Sequence, residues 1–167
     1  MELPQEQIEV VVQSQYMTEQ EREEFLKKFE QERVHSLIGF CVMGGVFSEG
    51  IDLTEDKLIG TMIIGTGLPQ VCLERELLKY YFDRKNLNGF DYAYLYPGMN
   101  KVLQSAGRVI RTDQDRGVIT LLDDRFMDRQ CQEVFPREWN DFQICNSENI
   151  EEKIAKFWKA EEQTDMK

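Results

Sequence analysis

The sequence predicts an α/β domain with a mainly parallel sheet flanked by helices, and three observations carry that expectation. Short β-branched or apolar runs alternate with longer amphipathic stretches along the chain. Two of the runs, Ser36–Met43 and Leu58–Gly65, are apolar at almost every position, the pattern of strands covered on both faces of a parallel sheet. The segments between runs are long enough to hold the crossover helix that parallel pairing requires.

Ile8–Ser14 is rich in β-branched residues and predicts a first strand. Thr18-Glu-Gln-Glu21 is a capping-box pattern, in which a hydroxyl and a carboxylate each satisfy an amide that the first helical turn leaves unbonded. It opens a helix carrying Phe25, Leu26 and Phe29 and expected to end near Val34. Ser36–Met43 then runs into the glycine-rich turn Gly44–Leu53, and Leu58–Gly65 into the loop Thr66-Gly-Leu-Pro69. A helix is expected from about Val71 to Arg84, with Leu73, Leu77 and Tyr81 on one side and Leu78 and Phe82 close by. Lys85–Gly89 reads as a linker. Tyr92, Tyr94 and Tyr96 alternate, which favours a half-buried strand face over a base-stacking platform. Pro97-Gly98 would punctuate the chain before a central helix. Gly117–Leu122 predicts a fourth strand, and Asn149-Ile-Glu-Glu152 the cap of a final helix carrying Ile150, Ile154, Phe157 and Trp158. Residues 1–160 are expected to form one domain, with 161–167 a disordered tail. No internal repeat or low-complexity segment interrupts it.

With 167 residues, the chain can bury one sizeable core. No apolar run approaches the roughly 20 residues that span a bilayer, so no membrane association is expected. Four cysteines without C-x-x-C spacing indicate reduced thiols in a cytoplasmic protein, and the lone His35 has no cysteine partner for a metal. The net charge of −11 argues against broad binding to duplex DNA, which needs a basic face. The charge is uneven, however. Residues 100–112 hold Lys101, Arg108 and Arg111 and no acid, so the local field turns positive there.

The stretch Gln104-Ser-Ala-Gly-Arg-Val-Ile-Arg111 holds the chemistry. On a helix Gln104, Arg108 and Arg111 share one stripe, while Val102, Ala106, Val109 and Ile110 gather opposite as an anchor. Gly107 beside the stripe leaves room for a close approach. Two planar guanidiniums suit phosphate oxygens well, although arginines on a helix face often pair only with carboxylates. In an open parallel sheet ligands collect at the carboxyl ends of strands, where the turn 44–53 and the loop 65–69 are expected.

Gly45-Val-Phe-Ser-Glu-Gly-Ile-Asp-Leu53 together with Gln104–Arg111 resembles motifs V and VI of superfamily 2 helicases, with wording nearest the DinG and XPD family. The resemblance runs from about Ser36 to Phe126 and includes the trailing Asp115–Arg125. It implies the second of two RecA-like lobes, of P-loop NTPase type, from an ATP-dependent DNA helicase working in DNA repair. ATP and Mg²⁺ would be bound mainly by the first lobe. Arg108 and Arg111 match the arginines that reach the terminal phosphates as catalytic groups, and Gln104, Gly107, Gly50 and Asp52 match nucleotide-binding positions. Ser48, Glu49, Thr66 and Gly67 match residues that contact single-stranded DNA or couple it to the nucleotide cleft. Read without the resemblance, Glu49 and Asp52 are ordinary turn carboxylates and 65–69 an ordinary strand-to-helix turn.

No G-x-x-x-x-G-K-[ST] loop and no Mg²⁺-binding acid box occur in the sequence, and the cysteines do not fit the iron–sulfur spacing that relatives carry upstream. The family's second lobe begins with a strand and helix ahead of anything like Ile8–Ser14. The chain is therefore expected to be a fragment, truncated at its N-terminus and inactive alone, whose partners are the N-terminal lobe of the same protein and single-stranded DNA. A non-catalytic interaction module that kept the fold, the lobe of an RNA helicase and an NTP-dependent nuclease are the alternatives.

Overall fold

The computed structural model describes residues 8–49, 57–112 and 115–162. They fall into two compact units, one up to Val134 and one from Phe135. In the first unit, β1 (Ile8–Val12) pairs in parallel with β2 (Ser36–Phe40), Ile8 opposite Ser36 and Val12 opposite Phe40. The crossover between them is α1 (Glu19–Glu30). A short helix α2 (Val46–Glu49) follows β2. A second parallel pair joins β3 (Gly60–Ile64) to β4 (Val118–Leu122), Gly60 opposite Val118 and Ile64 opposite Leu122. Its crossover holds α3 (Leu73–Asp83) and α4 (Tyr96–Ala106). This is the α/β architecture expected, with its parallel pairing divided between two small sheets.

The capping box forms: Glu21 N–H donates to the Thr18 hydroxyl at 3.3 Å, and Thr18 N–H donates to the Glu21 carboxylate at 2.7 Å. The helix stops at Glu30 rather than near Val34, because Gln31 turns extended and Arg33 folds back, its Nε donating to Lys28 O at 2.8 Å. Arg33 also pairs with Glu9 of β1, as does Lys28 at 2.9 Å, which fixes the helix end against the first strand. Phe25 is buried, its ring stacked on Phe47 at 4.4 Å. Gly39 lets Phe29 lie on β2, since a Cβ there would stand 2.6 Å from Phe29 Cζ.

The strands are less covered than their apolar runs predict. Four of the five β2 residues are exposed, and in β3 only Ile63 is buried. The described strands form two separate pairs, and α1 covers β2 from one side. The apolar faces are present; the expected double cover is not.

A larger difference lies at 89–106. The alternating tyrosines are helical, not extended: a π-helical turn (Asp91–Leu95) runs directly into α4, with Tyr96 N–H bonded five residues back to Asp91 O. Pro97 sits inside this continuous helix, where it has no N–H for Ala93 O, four residues back. Arg75 Nη1 of α3 donates to that oxygen instead, at 2.6 Å. Tyr94 OH donates to Glu76 at 2.6 Å and the Tyr92 ring stacks on Phe82 at 4.1 Å. Helix α3 is thus held by its polar and aromatic side. None of its residues is buried, and Leu73 and Leu77 face solvent.

Helix α4 packs on β3 and on the π-turn, burying Met99, Val102 and Ala106 almost completely. Truncating Met99 to alanine would cost on the order of 2–5 kcal/mol. After β4 the structure adds short turns that the sequence pattern did not mark: a 3₁₀ turn (Asp124–Met127) and α5 (Arg129–Gln132), which bury Phe126 and Cys131.

The second unit contains a 3₁₀ turn (Arg137–Trp139), the Phe135 ring set edge-on to Trp139 and Phe142, and α6 (Ile150–Glu162). Asn149 precedes α6 as expected, but its side-chain oxygen accepts from Asn146 N–H at 3.0 Å rather than from the helix. Of the expected tail, 163–167 lies outside the described residues. No helix among the described residues is long and apolar enough to cross a membrane. All four cysteines are free thiols, and burial pushes those of Cys41 and Cys131 above the usual range.

Candidate functional site

Two sets of candidate residues stand at opposite rims of the β3–β4 sheet, and α4 runs between them. At the carboxyl rim the strand ends are followed by glycines whose backbones lie in the left-handed region: Gly44 at φ 74°, Gly65 at 86° and Gly67 at 63°. The loop 65–67 turns so tightly that a Cβ on Gly67 would stand 3.0 Å from both Gly98 O and Met43 Sδ. Gly98 in turn admits Thr66 O, which a Cβ there would approach to 2.7 Å. The turn after β2 and the loop after β3 therefore meet at the first turn of α4.

Gln13, just past β1, ties the first turn down. Its Oε1 accepts from Val42 N–H at 2.9 Å, while Gly45 N–H donates to Val42 O at 2.9 Å. Lys101 lies across Gly44: a Cβ on that glycine would stand 3.0 Å from Lys101 Cδ and 3.1 Å from Cε. On the same rim Asp123, following β4, is held by Arg125 through two hydrogen bonds of 2.8 and 2.7 Å. That guanidinium, and the Arg125 N–H, hold the Asp123 carboxyl down to about 2.

Among the sequence-predicted positions at this rim, Thr66 is 2% exposed and its hydroxyl has no hydrogen-bond partner among the described residues. Gly67 is half-buried at the meeting of the two turns. Ser48 and Glu49 lie on α2, which packs against α4. Gly50 and Asp52 lie outside the described residues.

The arginine set occupies the other rim. The stretch 104–111 is not one helix: α4 ends at Ala106 and Gly107 caps it, its N–H donating to Leu103 O at 2.9 Å. Arg108 and Val109 N–H groups then bond three residues back, to Ser105 O and Ala106 O, as the chain tightens and leaves the helix. Gly107 and the β-branched pair Val109-Ile110 favour the exit. Asp115 secures it by accepting from Arg111 N–H at 2.8 Å and Thr112 N–H at 2.7 Å. Gln104 is therefore exposed on the last helical turn and Gly107 caps it, while Arg108 and Arg111, both half-buried, are placed by the turn beyond.

The expected anchor holds at Val102, Ala106 and Val109, whereas Ile110 is 47% exposed. Val109 packs so closely over Gly117, just before β4, that a Cβ on that glycine would stand 2.2 Å from Val109 Cγ1. That contact fixes the arginine turn at the amino rim. The eleven residues of α4, about 16 Å long, separate it from the loop 65–67, which meets the first turn of that helix.

Sequence reasoning missed Gln13 and Gly98 as parts of this architecture, and named Lys101 only for its charge. Lys101 carried a signal, because it lies on the Gln104 stripe one turn upstream. Gln13 and Gly98 act through tertiary contacts and left no local pattern. Among the described residues no group of three or more His, Cys, Asp or Glu side chains could hold a metal ion.

A parallel-stranded α/β unit with glycine turns at one rim and a paired-arginine turn at the other defines a RecA-like lobe. The helicase C-terminal domain family matches residues 1–142. A regulator of telomere elongation helicase 1 homolog from Caenorhabditis briggsae is 32% identical over 136 residues, covering 75% of this chain and 14% of that protein. The ATP-dependent DNA helicase DinG of Photobacterium profundum is 36% identical over 88 residues, covering 52% and 13%. The chain thus spans about a seventh of the curated relatives it matches. A solved XPD helicase superposes with a TM-score of 0.54 at 20% identity, over 75% of this chain and 26% of that one, a likeness of fold. The chain belongs to the helicase C-terminal domain family, in its DinG- and XPD-like superfamily 2 branch.

Proposed function

We propose that the chain is the carboxy-terminal motor lobe of an ATP-dependent DNA helicase that moves along single-stranded DNA. The observation that carries this reading is the paired-arginine turn, fixed by Val109 and Asp115 at the end of a buried helix in a chain of this family. Guanidiniums so placed suit the oxygens of a terminal phosphate, and such arginines contribute on the order of 10³–10⁵ in rate in well-studied NTPases. When bound, ATP would supply the phosphoryl group that is transferred, and Mg²⁺ would screen its charge. On this chain, Arg108 and Arg111 would hold the charge that develops on that group, and Gln104 would orient the nucleotide or the attacking water.

The fit is to the terminal phosphates alone, because the sequence has no phosphate-cradling loop. The first lobe of the same protein would supply that loop and the Mg²⁺ site, and any iron–sulfur cluster would lie there too. At the carboxyl rim, the loop 65–67 and the α2 region with Ser48 and Glu49 would face the strand, with Gly50 and Asp52 linking strand to nucleotide. Thr66 acts there through its backbone, since its hydroxyl is inside.

In the full-length protein, Arg111→Ala is expected to lower DNA-stimulated ATP turnover at least a hundredfold while ATP binding falls less than tenfold. Turnover within threefold of wild type would overturn the role of Arg111. The isolated chain is expected to show no ATP hydrolysis above background in a phosphate-release assay.

A further inference from the structure

We propose that Lys101 is a phosphate-contacting residue of the carboxyl rim, delivering its ammonium to the backbone of the single strand between the Gly44 and Gly67 turns. The inference rests on the nucleic-acid reading above and adds a residue to it. Two observations place the charge. The Lys101 stem lies flat on Gly44, whose missing side chain and φ of 74° leave room for the stem to pass. The base of the same side chain stands near Gly67, with Lys101 Cβ 3.6 Å from the position of a Cβ there. Lys101 therefore touches both strand-end turns from the one helix that packs beneath them.

The electrostatics agree. Lys101 makes no hydrogen bond or ion pair with any described residue, and its sequence neighbourhood from 100 to 112 carries no acid. Asp123, the carboxylate placed beside Gly65 on this rim, is already engaged by Arg125. A half-buried lysine held over two glycine turns is available to an anion. The strand phosphate is favoured over a nucleotide phosphate because Lys101 touches both strand-end turns of the carboxyl rim, whereas the arginine turn lies beyond the other end of α4.

The test compares full-length wild type, Lys101→Met and Lys101→Arg. Methionine keeps an unbranched stem over Gly44 and removes the charge, so folding, read by melting temperature, should not change. The readout is the salt dependence of affinity for a fluorescent oligothymidylate. Removing one lysine–phosphate interaction with a single strand lowers the slope of log K against log salt by about 0.7. Lys101→Met is expected to lower the slope by about 0.7 and to bind roughly tenfold more weakly at low salt, and Lys101→Arg to stay near wild type. Equal slopes and affinities for wild type and Lys101→Met would overturn the assignment of Lys101 alone. Weakened ATP binding in Lys101→Met without DNA, at unchanged slope, would move the interaction to the nucleotide and overturn the strand assignment. Absence of any oligonucleotide binding by wild type would overturn the nucleic-acid reading itself, and this inference with it.

Discussion

Asp123 illustrates how a single residue organises the carboxyl rim. Its carboxylate accepts two hydrogen bonds from the Arg125 guanidinium and caps the following turn through Arg125 N–H at 2.9 Å. Its folded pKa of about 2 lies below the roughly 3.9 of an unfolded aspartate. A depressed carboxyl stabilises the fold above the unfolded value and loses that contribution as pH falls through the folded one. The melting temperature of wild type is therefore expected to drop toward that of Asp123→Asn between about pH 4 and pH 2. Two curves that stay parallel through that window would mean the pair is not linked to folding. At this scale much of the packing is legible in the sequence: Val102 and Ala106 are buried where helical spacing puts them, and Val109, past the helix end, is buried over Gly117. Ile110 is not, because the helix ends before it and the count of 100° per residue no longer applies.

The elements show where sequence pattern competes with tertiary context. Period-two tyrosines and a proline argue for a strand and a break, yet 89–106 is one helix with a π-turn in it. The winning terms are long-range: Arg75 replaces the hydrogen bond that Pro97 cannot make, and Glu76 and Phe82 engage Tyr94 and Tyr92. The two hydrogen-bonded pairs are 18 residues apart in sequence, beyond any local window. Arg75→Met leaves a carbonyl inside the helix without this charged donor and is expected to destabilise the chain by about 1–3 kcal/mol in urea denaturation. Restoring an amide with Pro97→Ala should recover about 1 kcal/mol of that loss, seen as coupling in a double-mutant cycle. Strict additivity would show that the two groups do not serve the same oxygen. The Glu76 carboxylate also pushes the Tyr94 hydroxyl up to about 12, so this contact persists in alkali until pH passes that value.

Across the whole chain, the apolar character that marked the strands is real but incompletely covered. Val12, Ile38, Phe40, Met62 and Ile64 on the strands, and Leu73 and Leu77 on α3, remain exposed. Exposed apolar side chains in such number favour association in water. The isolated chain is expected to enhance the fluorescence of 8-anilinonaphthalene-1-sulfonate and to associate as its concentration rises in sedimentation velocity. A dye-silent monomer across that range would show the faces to be covered.

Gly98 carries a last consequence. With Thr66 O pressed against it at one end and Val109 pressed over Gly117 at the other, α4 behaves as a push-rod clamped at both tips. On the function proposed above, a strand seated at the first rim would drive the arginine turn as it moved the loop, and DNA stimulation of ATP turnover would become a matter of mechanical slack. Gly98→Ala, by wedging one clamp open, is expected to leave unstimulated ATP turnover intact and to cut the fold-stimulation by single-stranded DNA severalfold; undiminished stimulation would show that the signal travels another way.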